Sequence, residues 1–188
     1  MRTILLTVMI AAPFFLMAGG AWEIHLKNGV DKYESRDYKG ALEDFNKAIE
    51  VAPKEAKLYL HRGKTKAQLG NDISAIRDYN KAIELKPEYS EAYAQRAQIK
   101  LNLEDFDGAK EDCNEALGYD AKNATAHMVL AQAYFKQKDF SEAMVSFNEA
   151  IKLDPYNTEP LFKRGLAKMQ LNDYIGSIKD FNKVIKLD

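Results

Sequence analysis

The chain repeats one short pattern at a spacing of 34 residues, and that period constrains its fold more than any other feature. Ala41, Phe45, Ala48 and Pro53 recur as Ala75, Tyr79, Ala82 and Pro87. They return as Ala109, Cys113, Ala116 and Ala121, then as Ala143, Phe147, Ala150 and Pro155. A weaker fifth copy reads Ser177, Phe181 and Val184. A fixed period of this length specifies a stack of one supersecondary unit, because a unit this small buries its apolar face only against its neighbours. The functional question therefore moves from chemistry to surfaces.

Each period holds two apolar-periodic segments: 22–35 with 38–51, 56–69 with 72–85, 90–103 with 106–119, 124–137 with 140–153, and 158–171 with 174–187. Apolar residues fall at i, i+3, i+4 and i+7, as in Ala41, Phe45, Ala48 and Ile49, which is a helical period. The turns inside the units are short and polar: Arg36-Asp37, Gly70-Asn71, Glu104-Asp105, Lys138-Asp139 and Asn172-Asp173. Pro53, Pro87 and Pro155 separate the units, since proline cannot continue a helix. The expected structure is all-α, ten antiparallel helices in five hairpins.

Small residues explain how hairpins would stack. Gly29, Gly63, Ala97, Ala131 and Gly165 share one place in the first helix, and Ala41, Ala75, Ala109 and Ala143 one place in the second. Such residues let helices approach closely while the aromatic one turn later fills the adjoining space. This pattern resembles the tetratricopeptide repeat (TPR) family over residues 22–188, in repeats 22–55, 56–89, 90–123, 124–157 and 158–188. The resemblance implies an α-solenoid of five helix-turn-helix repeats, wound as a right-handed superhelix whose concave face is lined by the first helices.

Residues 1–21 differ from the rest. Arg2 is the only charge, Thr3 to Ala18 are almost wholly apolar, and Ala18, Gly19, Gly20 and Ala21 are small. A positive start, a short apolar core and a small-residue zone form a secretory signal pattern. The alternative is an N-terminal membrane anchor. A helix of Thr3 to Ala18, interrupted by Pro13, spans roughly 24 Å, short of the ~30 Å hydrocarbon core. Either reading places the repeats outside the cytoplasm, periplasmic or secreted. Nothing in residues 22–188 is left over for a second domain. A net charge of −1 gives no basic footprint for nucleic acid, and the repeats offer no polybasic membrane patch. The single Cys113 excludes an internal disulfide.

Charges that come and go as a set predict contacts. Arg62 and Lys66, Arg96 and Lys100, and Arg164 and Lys168 accompany Asp78, Asp112 and Asp180. Unit four has Leu130, Tyr134 and Ser146 at these places. Structural Arg–Asp pairs linking the helices of a hairpin are expected; a basic binding stripe is the alternative.

No catalytic, cofactor or metal constellation emerges. Cys113 replaces an aromatic and should be buried and inert. His25 and His127 occupy the place of Tyr59 and Tyr93, His61 lies two residues further along its helix, and none is spaced as a metal pair. Gly63-Lys64-Thr65 mimics the end of a phosphate loop, but Leu58 replaces the motif's first glycine. The protein is expected not to be an enzyme.

The resemblance instead implies binding of a peptide or helical segment of another protein. Its groove-lining places fall on Leu26, Val30, Tyr33, Leu60, His61, Lys64, Gln98, Leu101, Met128, Gln132, Phe135, Phe162, Lys163 and Leu166. The Lys, Asn and Arg clamp that some relatives close on a terminal carboxylate is absent: Leu26, Val30, His61, Glu91 and Gln95 stand there. Repeat arrays usually end in a polar capping helix. The last segment carries Ile178, Phe181, Ile185 and Leu187 instead, so a C-terminal docking surface is expected, for a partner or for a homo-oligomer. That gives an alternative reading as an assembly subunit.

Overall fold

The computed structural model describes residues 12–187, with side chains from residue 20 onward. Ten helices run in order: α1 (Ala12–Glu34), α2 (Tyr38–Val51), α3 (Ala56–Gln68), α4 (Asp72–Leu85), α5 (Ser90–Asn102), α6 (Phe106–Tyr119), α7 (Ala124–Lys136), α8 (Phe140–Leu153), α9 (Thr158–Gln170) and α10 (Tyr174–Leu187). There is no strand among the described residues. Most of the expected signal segment, residues 1–11, lies outside them, and residues 12–21 form the first turns of α1.

Each hairpin closes in the same way. The second residue after the first helix adopts a left-handed backbone: Arg36, Glu104, Lys138 and Asn172 have φ of 62–68°, and Gly70 has 74°. The next amide then reaches back to close the helix end, as Asp37 N to Lys32 O and Asn71 N to Lys66 O, both 2.9 Å. Asp37 and Asp105 cap the following helix by accepting from the amides of Gly40 and Gly108, each at 3.0 Å.

Packing is strictly local. Every helix contacts its neighbours in sequence, and first helices also touch first helices: α1 with α3, α3 with α5, α5 with α7. The core is a row of small clusters rather than one mass. One joins Tyr59, Ala75, Tyr79 and Ala82; another joins Ala97, Ala109, Cys113 and Val129. The second-helix residues Phe45, Tyr79, Cys113 and Phe147 are each at most 1 % exposed, so this one position anchors four successive layers.

Candidate functional site

Five first helices, α1, α3, α5, α7 and α9, line one continuous face, and their side chains leave a chain of shallow cavities. Between α1 and α3 a cavity of about 150 Å³ is walled by Val30, Tyr33, Glu34, His61 and Lys64. Tyr33, Lys64, Gln68, Gln95, Gln98 and Asn102 line a second of the same volume, reaching α5. Leu101, Phe106, Gln132 and Lys136 border a third of about 180 Å³. A fourth, about 170 Å³, lies among Gln132, Phe135, Lys136, Lys163 and Leu166. Apolar walls alternate with amides along the track.

Polar contacts tie adjacent units across this face. Lys64 Nζ meets Glu91 Oε1 at 3.1 Å and Gln132 Nε2 donates to Glu159 Oε1 at 3.4 Å, while within α5 Gln98 donates to Asn102 at 3.0 Å. His61 stacks on Phe45 with ring centroids 5.6 Å apart. Burial, helped by the nearby Lys64 ammonium, lowers the His61 pKa from its ordinary value, so the ring is neutral at pH 7. The groove thus offers hydrogen-bonding amides, an imidazole and apolar patches along one face.

The expected lining residues divide into two groups. Leu26, Val30, Tyr33, His61, Lys64, Gln98, Met128, Gln132, Phe135, Lys163 and Leu166 are half-buried, and Phe162 is exposed. Leu60 is instead sealed into the core at 1 % exposure and lines none of these cavities, while Leu101, at 7 % exposure, only edges the third. Leu60 packs with Tyr59, Tyr79 and Ile99, whereas Leu101 packs with Cys113, Val129 and Ala133, so the bulk of the neighbouring unit determines which side chains surface.

The charge sets are ion pairs within hairpins. Arg62 donates twice to Asp78, Nε to Oδ2 at 2.9 Å and Nη2 to Oδ1 at 2.7 Å, and Lys66 adds a contact at 2.7 Å. Arg96 and Lys100 hold Asp112 likewise, and Arg164 and Lys168 hold Asp180. In unit one Lys32 meets Asp44 at 2.6 Å. These cations are committed to buried carboxylates, so they do not form a free basic stripe.

Sequence reasoning missed a hydrogen-bond ladder between units. The remaining guanidinium nitrogen of each arginine donates back to an asparagine of the preceding second helix. Arg62 Nη1 reaches Asn46 at 2.9 Å, Arg96 reaches Asn80 at 2.5 Å, and Arg164 reaches Asn148 at 2.6 Å. The signal was present, since Asn46, Asn80, Asn114, Asn148 and Asn182 recur at the same period. It also missed a buried link in which Asn123 donates to Ser90 and Ser90 to the Ala116 carbonyl, each at 2.8 Å.

Cys113 is fully buried, and burial together with the Asp112 carboxylate pushes its thiol up to about 12, so it is protonated and unreactive at neutral pH. Among the described residues no three His, Cys, Asp or Glu side chains are grouped to hold a metal ion, and no helix is long and apolar enough to cross a membrane.

Family models described as tetratricopeptide repeat match residues 56–89, 94–158 and 158–188. The fold is similar to solved structures at low sequence identity. MamA protein superposes with a TM-score of 0.73 at 21 % identity, over 90 % of this chain and 92 % of that one. The pilF protein of Pseudomonas aeruginosa gives 0.84 at 12 % identity, over 92 % and 78 %. YrrB, described as a TPR protein with an unusual peptide-binding site, gives 0.66 at 15 % identity, over 87 % and 84 %. No curated protein matches the chain in sequence.

Proposed function

The chain belongs to the tetratricopeptide repeat family, and from that premise we propose that it is an exported, non-catalytic adaptor holding a peptide or helical segment of another protein in its concave groove. The observation that carries this reading is the row of open cavities between successive first helices, where amides and apolar side chains alternate. Extended or helical chains present the same alternation of backbone polar groups and side chains. The peptide-binding description of YrrB supports the reading by analogy of fold.

Export rests on the charge of Arg2, the apolar run from Thr3 to Ala18 and the small residues that follow. Intact-mass analysis of the protein purified from its native envelope checks it. Loss of about 21 N-terminal residues is expected, and retention of Arg2 and the apolar run in a protein found in the cytoplasm would refute export.

The groove is tested by selecting binders from a random peptide library on residues 22–188 and measuring affinity for variants. Leu166→Asp and Gln98→Arg, on the groove wall, should each weaken selected peptides more than about tenfold while helical circular dichroism stays unchanged. Peptides that bind both folded variants as well as the parent would refute the groove. A second reading, assembly through the last unit, is favoured by the exposure of Ile175, Ile178 and Ile185 on α10.

A further inference from the structure

The α10 face is the fifth instance of a surface whose other four instances are covered. Phe45, Tyr79 and Phe147 are at most 1 % exposed beneath the next unit, whereas Phe181 at the same place is only partly buried. Ile151 is 8 % exposed under α9, while its counterpart Ile185 is 74 % exposed and Ile178 is 59 % exposed. Asn182 continues the series in which Asn46, Asn80 and Asn148 accept from an arginine of the following first helix, and among the described residues no arginine reaches it.

The covered instances define what fits. Three of the four covering helices, α3, α5 and α9, place an arginine over the asparagine. Four residues before it stands a compact or apolar side chain, Leu58, Ala92 or Pro160, and three residues after it stands Thr65, Ile99 or Ala167. All six are buried, at no more than 4 % exposure where a figure decides it, as at Ile99. From this continuity we infer that α10 is a docking surface for an amphipathic helix of a partner protein. That helix carries an arginine directed at Asn182, with compact residues four before and three after it, and takes the place a sixth first helix would take.

A second copy of this chain is a poor occupant for two reasons. Its α1 presents Ile24, Asn28 and Asp31 at the three defining places, so the arginine is missing and the Asp31 carboxylate would be buried where the other units have Thr65, Ile99, Ala133 and Ala167. Pairing α10 with α10 of another copy in antiparallel fashion sets Lys179, Lys183 and Lys186 of each against the same row of the other. Those lysines border the apolar stripe and favour acidic residues flanking the partner's docking face.

The inference is independent of the groove and is tested with a defined probe, a fluorescent stapled helical peptide bearing the sequence of residues 90–103, which supplies Ala92, Arg96 and Ile99. Saturable anisotropy binding to the full chain is expected. It should fall at least ~10-fold on Ile178→Asp or Ile185→Asp and ~5-fold on Asn182→Ala, and stay unchanged on the groove variant Leu166→Asp. Both isoleucines are exposed, and circular dichroism confirms that the variants fold. A peptide carrying Arg96→Asn with Ile99→Asp, the α1-like combination, should not bind. The inference is overturned by no binding up to about 1 mM, by binding that survives both aspartate substitutions, by equal binding of the α1-like peptide, or by sedimentation showing self-association that these substitutions abolish.

Discussion

In three of the five units a first-helix glycine lies directly against the ring of the second-helix aromatic. A methyl group on Gly63 would come within 2.6 Å of the Tyr79 ring, and one on Gly165 within 2.5 Å of the Phe181 ring. Two opposing effects decide the outcome of replacement by alanine. Relief of the helical glycine penalty is worth about 1 kcal/mol, and overpacking costs about 1–3 kcal/mol. Tyr79 is 1 % exposed and packed among Tyr59, Ala75 and Ala82, so Gly63→Ala should lower stability in urea by about 1–2 kcal/mol. Phe181 borders solvent and can turn outward, so Gly165→Ala should be near neutral. Equal losses at the two sites would contradict this account. Asp180 supplies the pH counterpart. Its burial pulls the carboxyl pKa up, but hydrogen bonds from Arg164 and Lys168 outweigh that and hold it below the ordinary value. A depressed folded pKa contributes stability above the unfolded value of about 3.9, which is lost as pH falls through the folded value. Acid unfolding curves of Asp180→Asn should therefore be shallower than those of the parent below about pH 4. Identical curves would remove Asp180 from the acid transition.

At the scale of the helix pair, unit four is the exception. Leu130 is 8 % exposed where units two, three and five have arginines, and Ser146 stands where all the other units have an aspartate. Asn114 consequently has no arginine above it, and the boundary from unit three to unit four uses other links. Lys110 donates to Gln137 at 2.7 Å, Gln137 to Asp107 at 3.1 Å, and Asn123 to Ser90. Leu130→Arg alone would bury a cation without its carboxylate, and Ser146→Asp alone would bury the reverse. Each should cost about 2 kcal/mol or more, while the double variant should recover most of the loss, a coupling of about 2 kcal/mol in urea unfolding. Additive losses would show that unit four cannot accept the pair. Much at this scale was legible in sequence. The helix bounds 38–51 and 72–85 coincide with α2 and α4, because turn residues and prolines repeat at fixed offsets and over-determine the ends. The depth of individual groove residues was less legible. Leu26, Leu60, Met128 and Phe162 share one place in the repeat yet range from 1 % to 48 % exposure, since that depth depends on the bulk of the facing unit, which periodicity does not encode.

Over the whole molecule, contacts between helices link only neighbouring units, so stability is a sum of unit terms and nearest-neighbour interfaces. The first and last units each have one interface, and the inner units have two. The two ends are not equivalent. Lys57 Nζ sits 4.3 Å from the centroid of the Trp22 ring, and α1 has polar Asn28 and Asp31 outward, whereas α10 leaves Ile178 and Ile185 in water. A cooperative unit with one interface and an uncovered apolar stripe should open at lower free energy than one covered on both sides. Native-state hydrogen exchange should therefore show amides of α10 exchanging first, α9 next, and α3 to α6 last. Covering α10 with the residue 90–103 peptide should slow exchange in α9 and α10 together while leaving α3 and α4 nearly unchanged, because coupling decays with each interface it crosses. Uniform protection along the array, with all five units exchanging at one rate, would mean that it unfolds as a single block and that the nearest-neighbour description fails.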